Sequence, residues 1–325
     1  MNKESMKQRW AFLFPGQGAQ YPGMGRDFFE TFAIAKETFQ EADDILGEAF
    51  SRLIFEGTSA ELTLTKNSQV AIFIVSAAIA RTVKEQFPSL HPFVCAGLSL
   101  GEYTALVAAG RISFAECLEL VSLRAAAMHE ACECKKGTMH VVLGLNEESV
   151  AEVLSTMKPN AELWIANLNC PEQVVIAGAQ EKMVSAIDAL KAKGAKRVLP
   201  LDVSGAFHSA FMLPAQEKLA PKIATVPLYM DSIELVMNVP GDFVKDLPSI
   251  RHYLFEQVVS PVRWEKGIRA MMGQSVDVYL EMGPGKSLSG MNKRIGTNKP
   301  TLSVEKVPDL EQLAKYVEAY AVTEC

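Results

Sequence analysis

The sequence predicts an α/β protein with a parallel β-sheet and a smaller inserted unit, and two observations lead to this prediction. Apolar strand-like segments alternate with helical segments in the early part of the chain, a pattern typical of parallel sheets. Between Thr138 and Leu201 the order changes to strand, helix, strand, strand, helix, strand, which is the order of a ferredoxin-like unit. We therefore expect a large domain over residues 1–136 and 203–325, with an inserted subdomain over residues 137–202.

The large domain is expected to begin with alternating elements. Apolar runs predict strands at Arg9–Phe14 and Pro92–Ala96. Helices are predicted at Ser68–Phe87, Leu100–Ala109 and Ser113–Ala131. Ser113 followed by Glu116 forms a capping box at the start of the third of these helices. After the inserted unit, this domain is completed by a strand at Asp277–Glu281 and a helix at Asp309–Tyr320.

The inserted unit has its own predicted elements. The strands are Thr138–Leu145, Glu162–Leu168, Glu172–Ala177 and Lys196–Leu201, with a turn at Asn169-Cys170-Pro171. The helices are Glu147–Met157, for which Asn146 is a suitable N-cap, and Gln180–Lys193, which ends at Gly194.

The composition argues against several classes of protein. The 325 residues are 49 % hydrophobic, which is enough for a sizeable core. The formal net charge of −6 argues against a general nucleic-acid-binding protein. The six cysteines are sparse and irregularly spaced, which fits a reducing compartment. No apolar run is long enough to span a bilayer, and the first ten residues carry no signal-peptide core. We therefore expect a soluble cytoplasmic protein that binds neither nucleic acid nor membranes.

The sharpest local signal is the motif Gly97-Leu98-Ser99-Leu100-Gly101. It lies between a buried strand and a helix, which is the context of a nucleophile elbow. The glycines relieve crowding where the chain reverses. Ser99 then lies at a helix N-terminus, where free N–H groups favour developing negative charge. An ordinary Gly-Ser turn is the alternative interpretation.

A serine needs a base to attack at neutral pH, and the chain has five histidines. His208 lies in the segment SGAFHS, a loop of small residues between a strand and a helix of the large domain. The other four lie before a strand, on a polar helix face, in the first strand of the inserted unit and on a later helix: His91, His129, His140 and His252. His208 is therefore the candidate base, and an exposed loop histidine is the alternative.

Arg124 is the third candidate. At about 100° per residue it lies in the apolar stripe of its helix, together with Cys117, Val121 and Met128. A buried guanidinium must be paired, and an anionic group of a substrate is one candidate partner. The alternatives are a buried carboxylate, or an arginine that extends to the edge of the stripe.

The segment FPGQGAQ follows the first strand. It lacks the lysine and the spacing of a P-loop, so a backbone donor for an oxyanion is a better interpretation than a nucleotide site. A plain glycine-rich turn is the alternative. Cys132 and Cys134 have no second Cys or His pair at the spacing of a zinc site, so no metal site is expected.

Six separated motifs occur in the order and approximate spacing of bacterial malonyl-CoA:acyl-carrier-protein transacylases: FPGQGAQ, GLSLGEYTALVAAG, Leu123-Arg124, GAFHSAFM, QVVSPVRW and EMGPGKSL. The chain resembles this family from about Trp10 to Val304. The resemblance implies a large α/β-hydrolase-like domain with an inserted ferredoxin-like subdomain.

The resemblance also implies roles for individual residues. Ser99 resembles the acylated nucleophile and His208 its base. A backbone carbonyl, that of Gln257 in QVVSP, orients the histidine in place of an Asp. The backbone N–H groups of Gln17 and Leu100 resemble the oxyanion hole.

Three further positions in this resemblance concern the substrate. Arg124 resembles the arginine that pairs bidentately with the malonyl carboxylate. Phe207, directly before His208, resembles the malonyl-selective pattern, whereas methylmalonyl-selective relatives typically have Ser there. Leu98 occupies a position where the family usually has His, although some relatives that act in polyketide assembly also carry Leu.

The activity implied by the resemblance is a ping-pong transfer. A malonyl group moves from malonyl-CoA to the phosphopantetheine thiol of holo acyl carrier protein through a malonyl-serine ester, without a metal or redox cofactor. Fatty-acid synthesis is the expected pathway and a monomer the expected state. The alternatives are a serine hydrolase or thioesterase, a trans-acting polyketide acyltransferase, and an inactive carrier-docking module.

An acidic carrier would need a local basic patch, because this chain is net negative. The segment Met282–Val304 contains no Asp or Glu and four bases, Lys286, Lys293, Arg294 and Lys299. We expect the carrier to dock there, with a solvated helix face as the alternative interpretation. A second candidate patch on the inserted unit consists of Lys191, Lys193, Lys196 and Arg197.

Overall fold

The computed structural model describes residues 8–157 and 162–323. The strands in these ranges are β1 (Trp10–Phe14), β2 (Pro92–Gly97), β3 (Gly137–Leu143), β4 (Leu163–Cys170), β5 (Gln173–Ala179), β6 (Arg197–Pro200), β7 (Glu234–Met237), β8 (Asp242–Phe243), β9 (Val278–Met282) and β10 (Thr301–Val304). Residues 1–7, for which the sequence predicts no signal-peptide core, and Cys325 lie outside the described residues.

The helices of the described residues are α1 (Arg26–Thr31), α2 (Ala33–Leu46), α3 (Phe50–Glu56), α4 (Ser59–Thr63), α5 (Thr65–Gln86), α6 (Gly101–Ala108), α7 (Phe114–Cys134), α8 (Glu147–Thr156), α9 (Gln180–Ala192), α10 (Leu213–Thr225), α11 (Leu247–Glu256), α12 (Trp264–Gly273), α13 (Ser287–Ile295) and α14 (Asp309–Thr323). Within the described ranges, no helix combines the length and the apolar character that crossing a bilayer requires.

The first sheet has the strand order β10-β9-β1-β2-β7-β8. Adjacent strands from β10 to β7 are parallel, and β8 is antiparallel to β7. The predicted parallel sheet is therefore confirmed. Because parallel strands share one carboxyl edge, the segments that follow β1, β2 and β7 meet there, as is common for ligand sites in such sheets.

Helices cover both faces of this sheet, which explains why β1 is buried at every position. Phe12 and Phe14 belong to the apolar cluster that contains the buried residues of α5 and α7. Ala11 and Leu13 point to the opposite face and pack in the cluster that contains buried residues of α12 and α13. The alternation follows from the two-residue period of a strand.

The second sheet has the order β4-β5-β3-β6, and its paired strands are antiparallel. Its elements follow the predicted order of strand, helix, strand, strand, helix, strand. The predicted turn position was wrong: Asn169 and Cys170 belong to β4, and the turn is Pro171-Glu172. Glu172, which follows Pro171, adopts a φ of 57°, the sign that the second central residue of a type II turn has.

The second sheet is joined by backbone hydrogen bonds at β4 to the segment that precedes α12. Leu168 N donates to Val262 O over 2.8 Å, and Val262 N donates to Ala166 O over 2.9 Å. Val262 lies outside the strands of the first sheet, but the next residue, Arg263, donates its backbone N–H to Asn238 O over 3.0 Å, directly after β7. The contact therefore brings the second sheet beside the carboxyl edge of the first and forms one wall of a cleft.

The local helix signals behaved as predicted. Glu116 N donates to Ser113 Oγ over 3.2 Å and Ser113 N donates to the Glu116 carboxylate over 3.3 Å, which completes the capping box. Asn146 caps α8 by accepting a hydrogen bond from Ser149 N. Helices α1 to α4 were not predicted. α1, α3 and α4 have only 5 to 7 residues, too few to show a helical period, whereas α2 has 14 residues with one buried face and was missed.

Candidate active site

Ser99 lies in a sharp turn between β2 and α6. Its φ is 52°, a left-handed backbone conformation that residues other than glycine rarely adopt. A Cβ at Gly97 would lie 1.9 Å from the backbone carbon of Gly101, and one at Gly101 would lie 2.1 Å from Phe14 O. Both glycines are therefore required for the chain to reverse here, as an elbow that exposes its serine demands.

Two side chains hold the backbone of Ser99. Ser99 N donates to Asn238 Oδ1 over 2.7 Å, and Gln257 Nε2 donates to Ser99 O over 2.9 Å. Asn238 directly follows β7, so the parallel sheet delivers it beside the elbow. Strained backbone of this kind costs about 1–3 kcal/mol and persists only where its surroundings hold it; these two hydrogen bonds provide that support.

His208 faces Ser99. Its Nε2 lies 2.9 Å from Ser99 Oγ, and its Nδ1 lies 2.9 Å from Gln257 O and 3.1 Å from Ser260 O. Carbonyl oxygens only accept hydrogen bonds, so Nδ1 carries the proton and Nε2 is left to accept from the serine hydroxyl. All five histidines lie in the described residues, and only this one contacts Ser99.

The environment of His208 keeps its ring neutral. The side chain is buried, and burial together with the nearby Arg124 guanidinium lowers the pKa of His208 to about 4. The hydrogen bonds to Gln257 O and Ser260 O act in the opposite direction. At neutral pH the ring is therefore an available proton acceptor.

The loop that carries His208 is shaped by its small residues. A Cβ at Gly205 would lie 2.1 Å from Cys132 Sγ of α7, so only glycine permits this close approach. Ser209 Oγ donates to Ala206 O over 2.5 Å and accepts from Phe211 N over 3.2 Å. These contacts hold the histidine, whose φ of 56° is also left-handed.

Arg124 is buried, with 1 % of its surface exposed. Nη1 donates to Gln69 Oε1 over 2.5 Å, and Nη2 donates to Gln257 Oε1 over 3.0 Å and to Ser99 Oγ over 3.2 Å. In the described residues no carboxylate lies within ion-pair distance of this guanidinium. The alternatives of a direct buried ion pair and of an arginine at the edge of the stripe are therefore wrong. Burial lowers the pKa of Arg124.

The two residues that the resemblance assigns to an oxyanion hole are near Ser99: Gln17 lines the same cleft, and Leu100 is its neighbour in the chain. Gln17 follows β1, and Leu100 is the first residue after Ser99, at the N-terminus of α6. Neither N–H donates to another group within the described residues. The region therefore combines a hydroxyl, a neutral imidazole, a guanidinium and free N–H donors, a set of groups suited to acyl transfer through a serine ester.

A cleft of about 430 Å³ opens above Ser99 and His208. Leu98 and Phe207 line it, and Phe207 is 5 % exposed. The opposite wall comes from the second sheet and includes Asn167, Asn169, Gln173 and Val175. A larger cavity of about 780 Å³ lies between the β4–β5 hairpin and α12, and it shares no lining residue with the cleft at Ser99.

Several residues of the site were missed in the sequence. They are Gln69, Glu102, Asn238 and Ser260, all of which contact Ser99, His208, Arg124 or Gln257. Gln69 and Glu102 did leave a signal, because each is a polar residue inside an apolar helical segment and each is buried. The side chain of Gln257 was also missed, since the resemblance implied only its backbone carbonyl.

The predicted basic patch is less positive than its sequence indicates. Lys286 Nζ lies 3.1 Å from Asp309 Oδ1, and Lys299 Nζ lies 3.0 Å from Asp277 Oδ1. Both acids lie outside the segment that contains the patch, so folding brings them to it. In the alternative patch, Lys193 and Lys196 pair with acids as well.

Comparison with known proteins defines first a class and then a family. A family model described as an acyl transferase domain matches residues 11–313. The malonyl CoA-acyl carrier protein transacylase of Bacillus subtilis is 40 % identical over 302 residues, which are 93 % of this chain and 95 % of that protein. The chain therefore belongs to the family of malonyl CoA-acyl carrier protein transacylases.

Solved structures agree with this assignment. The malonyl CoA-acyl carrier protein transacylase of Clostridium perfringens is similar with a TM-score of 0.92 and 34 % identity, over 98 % of this chain and all of that one. A malonyl-transacylase in a holo complex with its type II PKS acyl-carrier protein is similar with a TM-score of 0.89 and 39 % identity, over 93 % of this chain and 98 % of that one.

Proposed function

We propose that this protein moves a malonyl group from malonyl-CoA to the phosphopantetheine thiol of holo acyl carrier protein, through an ester on Ser99. The observation that carries the proposal is Arg124, a buried guanidinium with neutral partners that touches the serine hydroxyl. A charge buried at the reacting atom is stabilised by an anionic substrate group, which malonyl provides and acetyl lacks. Membership in the family supports the same activity.

In the first half-reaction, His208 Nε2 takes the proton of Ser99 Oγ as the oxygen attacks the thioester carbon. The negative charge moves to the carbonyl oxygen, which the N–H groups of Gln17 and Leu100 stabilise. The C–S bond then breaks, the histidine returns the proton to the sulfur, and CoA leaves as a thiol. The 2.9 Å distance between nucleophile and base supports these roles.

In the second half-reaction, the thiol of the carrier takes the place of CoA. His208 takes the thiol proton, the sulfur attacks the ester carbon, and the proton passes to Ser99 Oγ as the C–O bond breaks. Arg124 holds the malonyl carboxylate through both steps. Neither step requires a metal or a redox cofactor.

The acceptor could belong to either of two pathways. Fatty-acid synthesis is our first proposal, because the relatives are named malonyl CoA-acyl carrier protein transacylases, a name that specifies no polyketide carrier. A type II PKS carrier is the second, favoured by the similar transacylase solved in complex with one. Leu98, which lines the cleft, is compatible with both.

Intact-mass measurement tests the activity. Addition of malonyl-CoA should increase the mass of the protein by one malonyl group. Addition of holo carrier protein should then return this mass to its original value and increase the mass of the carrier by one malonyl group. Ser99→Ala should take no malonyl group, and His208→Ala should be acylated at least 10²–10⁴-fold more slowly. Loss of the label to water without a carrier would support a hydrolase or thioesterase and contradict a transferase.

We also propose the finer organisation implied by the family. The first sheet and its helices, residues 1–136 and 203–325, form an α/β-hydrolase-like domain, and residues 137–202 form a ferredoxin-like subdomain. The strand order β4-β5-β3-β6 supports the second description. We propose that the protein acts as a monomer in the cytoplasm, which size-exclusion chromatography and cell fractionation can test.

A further inference from the structure

Glu102 is a buried carboxyl group that the mechanism above does not use. It lies in the first turn of α6, three residues after Ser99, and is 0 % exposed. Its Oε1 accepts from Gln257 Nε2 over 2.9 Å, and its Oε2 accepts from Asn238 N over 2.5 Å. Burial raises the pKa of Glu102 to about 8, against the hydrogen bonds from Asn238 and Gln257 and the positive charge of Arg124.

Both partners of Glu102 hold the nucleophile. Asn238 accepts from Ser99 N, and the Gln257 amide donates to Ser99 O. Gln257 also accepts from Arg124 Nη2 through Oε1 and from His208 Nδ1 through its backbone carbonyl. Gln257 thus contacts the serine, the histidine and the arginine.

The amide of Gln257 can perform this role in one orientation only. Its Nε2 must face Glu102 and Ser99 O, and its Oε1 must face Arg124. A rotated amide would place N–H donors against the guanidinium and an oxygen against Ser99 O. Glu102 is an acceptor-only side chain in its ionised form, which predominates above its pKa of about 8, and in that form it selects the working orientation.

We propose that Glu102 is a positioning residue: its carboxylate orients the Gln257 amide and so aims Arg124 at the malonyl carboxylate. The inference rests on the proposed function. It assigns no chemical step to Glu102, which acts through Gln257 on the residue that recognises the substrate.

Glu102→Gln tests this role with almost no change of volume. The glutamine has one acceptor, and the backbone N–H of Asn238 requires it. Its NH₂ group then faces Gln257, whose amide must rotate and present donors to Arg124. We expect the malonyl-CoA to acetyl-CoA ratio of acylation rates, measured at pH 9, above the pKa of Glu102, to fall by about 10- to 100-fold, the loss typical of one hydrogen bond to a charged group.

Matched variants separate positioning from a general structural effect. Glu102→Asp keeps an acceptor-only side chain and should retain most of the wild-type ratio. Glu281→Gln neutralises another buried glutamate, which bonds Leu288 N and Ser289 N instead, and should leave the ratio unchanged. Equal ratios in Glu102→Gln and wild type, or equal losses in Glu102→Gln and Glu102→Asp, would overturn the proposal.

Gln257→Met provides a second route, which remains available if Glu102→Gln does not fold. It removes the amide but keeps the backbone carbonyl that faces His208, so the malonyl-CoA to acetyl-CoA ratio should fall. In the double variant with Glu102→Gln, this ratio should be no lower than in Gln257→Met alone. An unchanged ratio in Gln257→Met, or independent losses that multiply, would contradict action through Gln257. A wild-type protein that takes no malonyl group would overturn the proposed function, whereas normal acylation with unaffected ratios would overturn this inference alone.

Discussion

Replacing Arg124 with alanine should convert a malonyl-selective enzyme into one that discriminates weakly. The guanidinium donates to Gln69, Gln257 and Ser99, and only the last of these bonds touches the reacting atom. Acetyl-CoA has no carboxylate, so its acylation rate should change mainly through the lost contact with Ser99 Oγ. Malonyl-CoA should lose that contact and also the partner of its carboxylate.

The size of the effect follows from the burial of the arginine. Removing one partner of a buried, hydrogen-bonded charge pair costs about 2–5 kcal/mol, which corresponds to about 30- to 5000-fold in kcat/KM. A single hydrogen bond from a charged donor is worth about 1.5–3 kcal/mol, and its loss affects both substrates. Because the loss common to both substrates cancels in the ratio, the malonyl-to-acetyl ratio should fall by at least about 30-fold in Arg124→Ala.

Rapid-quench acylation followed by intact-mass measurement gives both rates on the same protein. Arg111→Ala is the matched control, because Arg111 is also buried but donates to Ile233 O rather than to the residues around Ser99. It should leave the ratio unchanged, even if the free energy of unfolding falls. Equal losses for the two substrates in Arg124→Ala would show that the arginine is structural and refute this reasoning.

Three further predictions concern pH, selectivity and the carrier. In the acidic range, the acylation rate should fall as the pH drops through about 4, where His208 becomes protonated. Because the Arg124 guanidinium lowers that pKa, Arg124→Ala should move the fall to higher pH, and an unmoved profile would contradict the assignment. Phe207→Ser should improve acylation by methylmalonyl-CoA relative to malonyl-CoA; an unchanged ratio would remove Phe207 from the substrate pocket. Lys286→Glu with Lys293→Glu should slow transfer to the carrier and leave acylation by malonyl-CoA largely intact, and added salt should mimic the change, since exposed charges are screened over about 8–10 Å. A transfer rate that responds to neither treatment would direct the search to the patch on the inserted unit.

The features that the sequence predicted are those set by short stretches of chain. The elbow at Ser99 depends on glycines two residues to either side, whose missing side chains are what the turn needs. The capping box of α7 depends on Ser113 and Glu116, three residues apart. The burial of Arg124 follows from the period of one helix. In each case the decisive contacts lie within a few residues or follow from one repeating geometry.

The tertiary structure decided what surrounds these residues. Asn238 and Gln257 reach Ser99 from more than a hundred residues away: Asn238 directly follows β7 at the carboxyl edge of the first sheet, and Gln257 directly follows α11. Glu102 is near Ser99 in sequence, but its role depends on those two distant partners. The charge of the basic patch changed for the same reason, since Asp309 and Asp277 approach it only in the folded chain. Hydrogen bonds and ion pairs form wherever groups come within about 3 Å, and a sequence specifies that distance only for residues that one helix, strand or turn holds together.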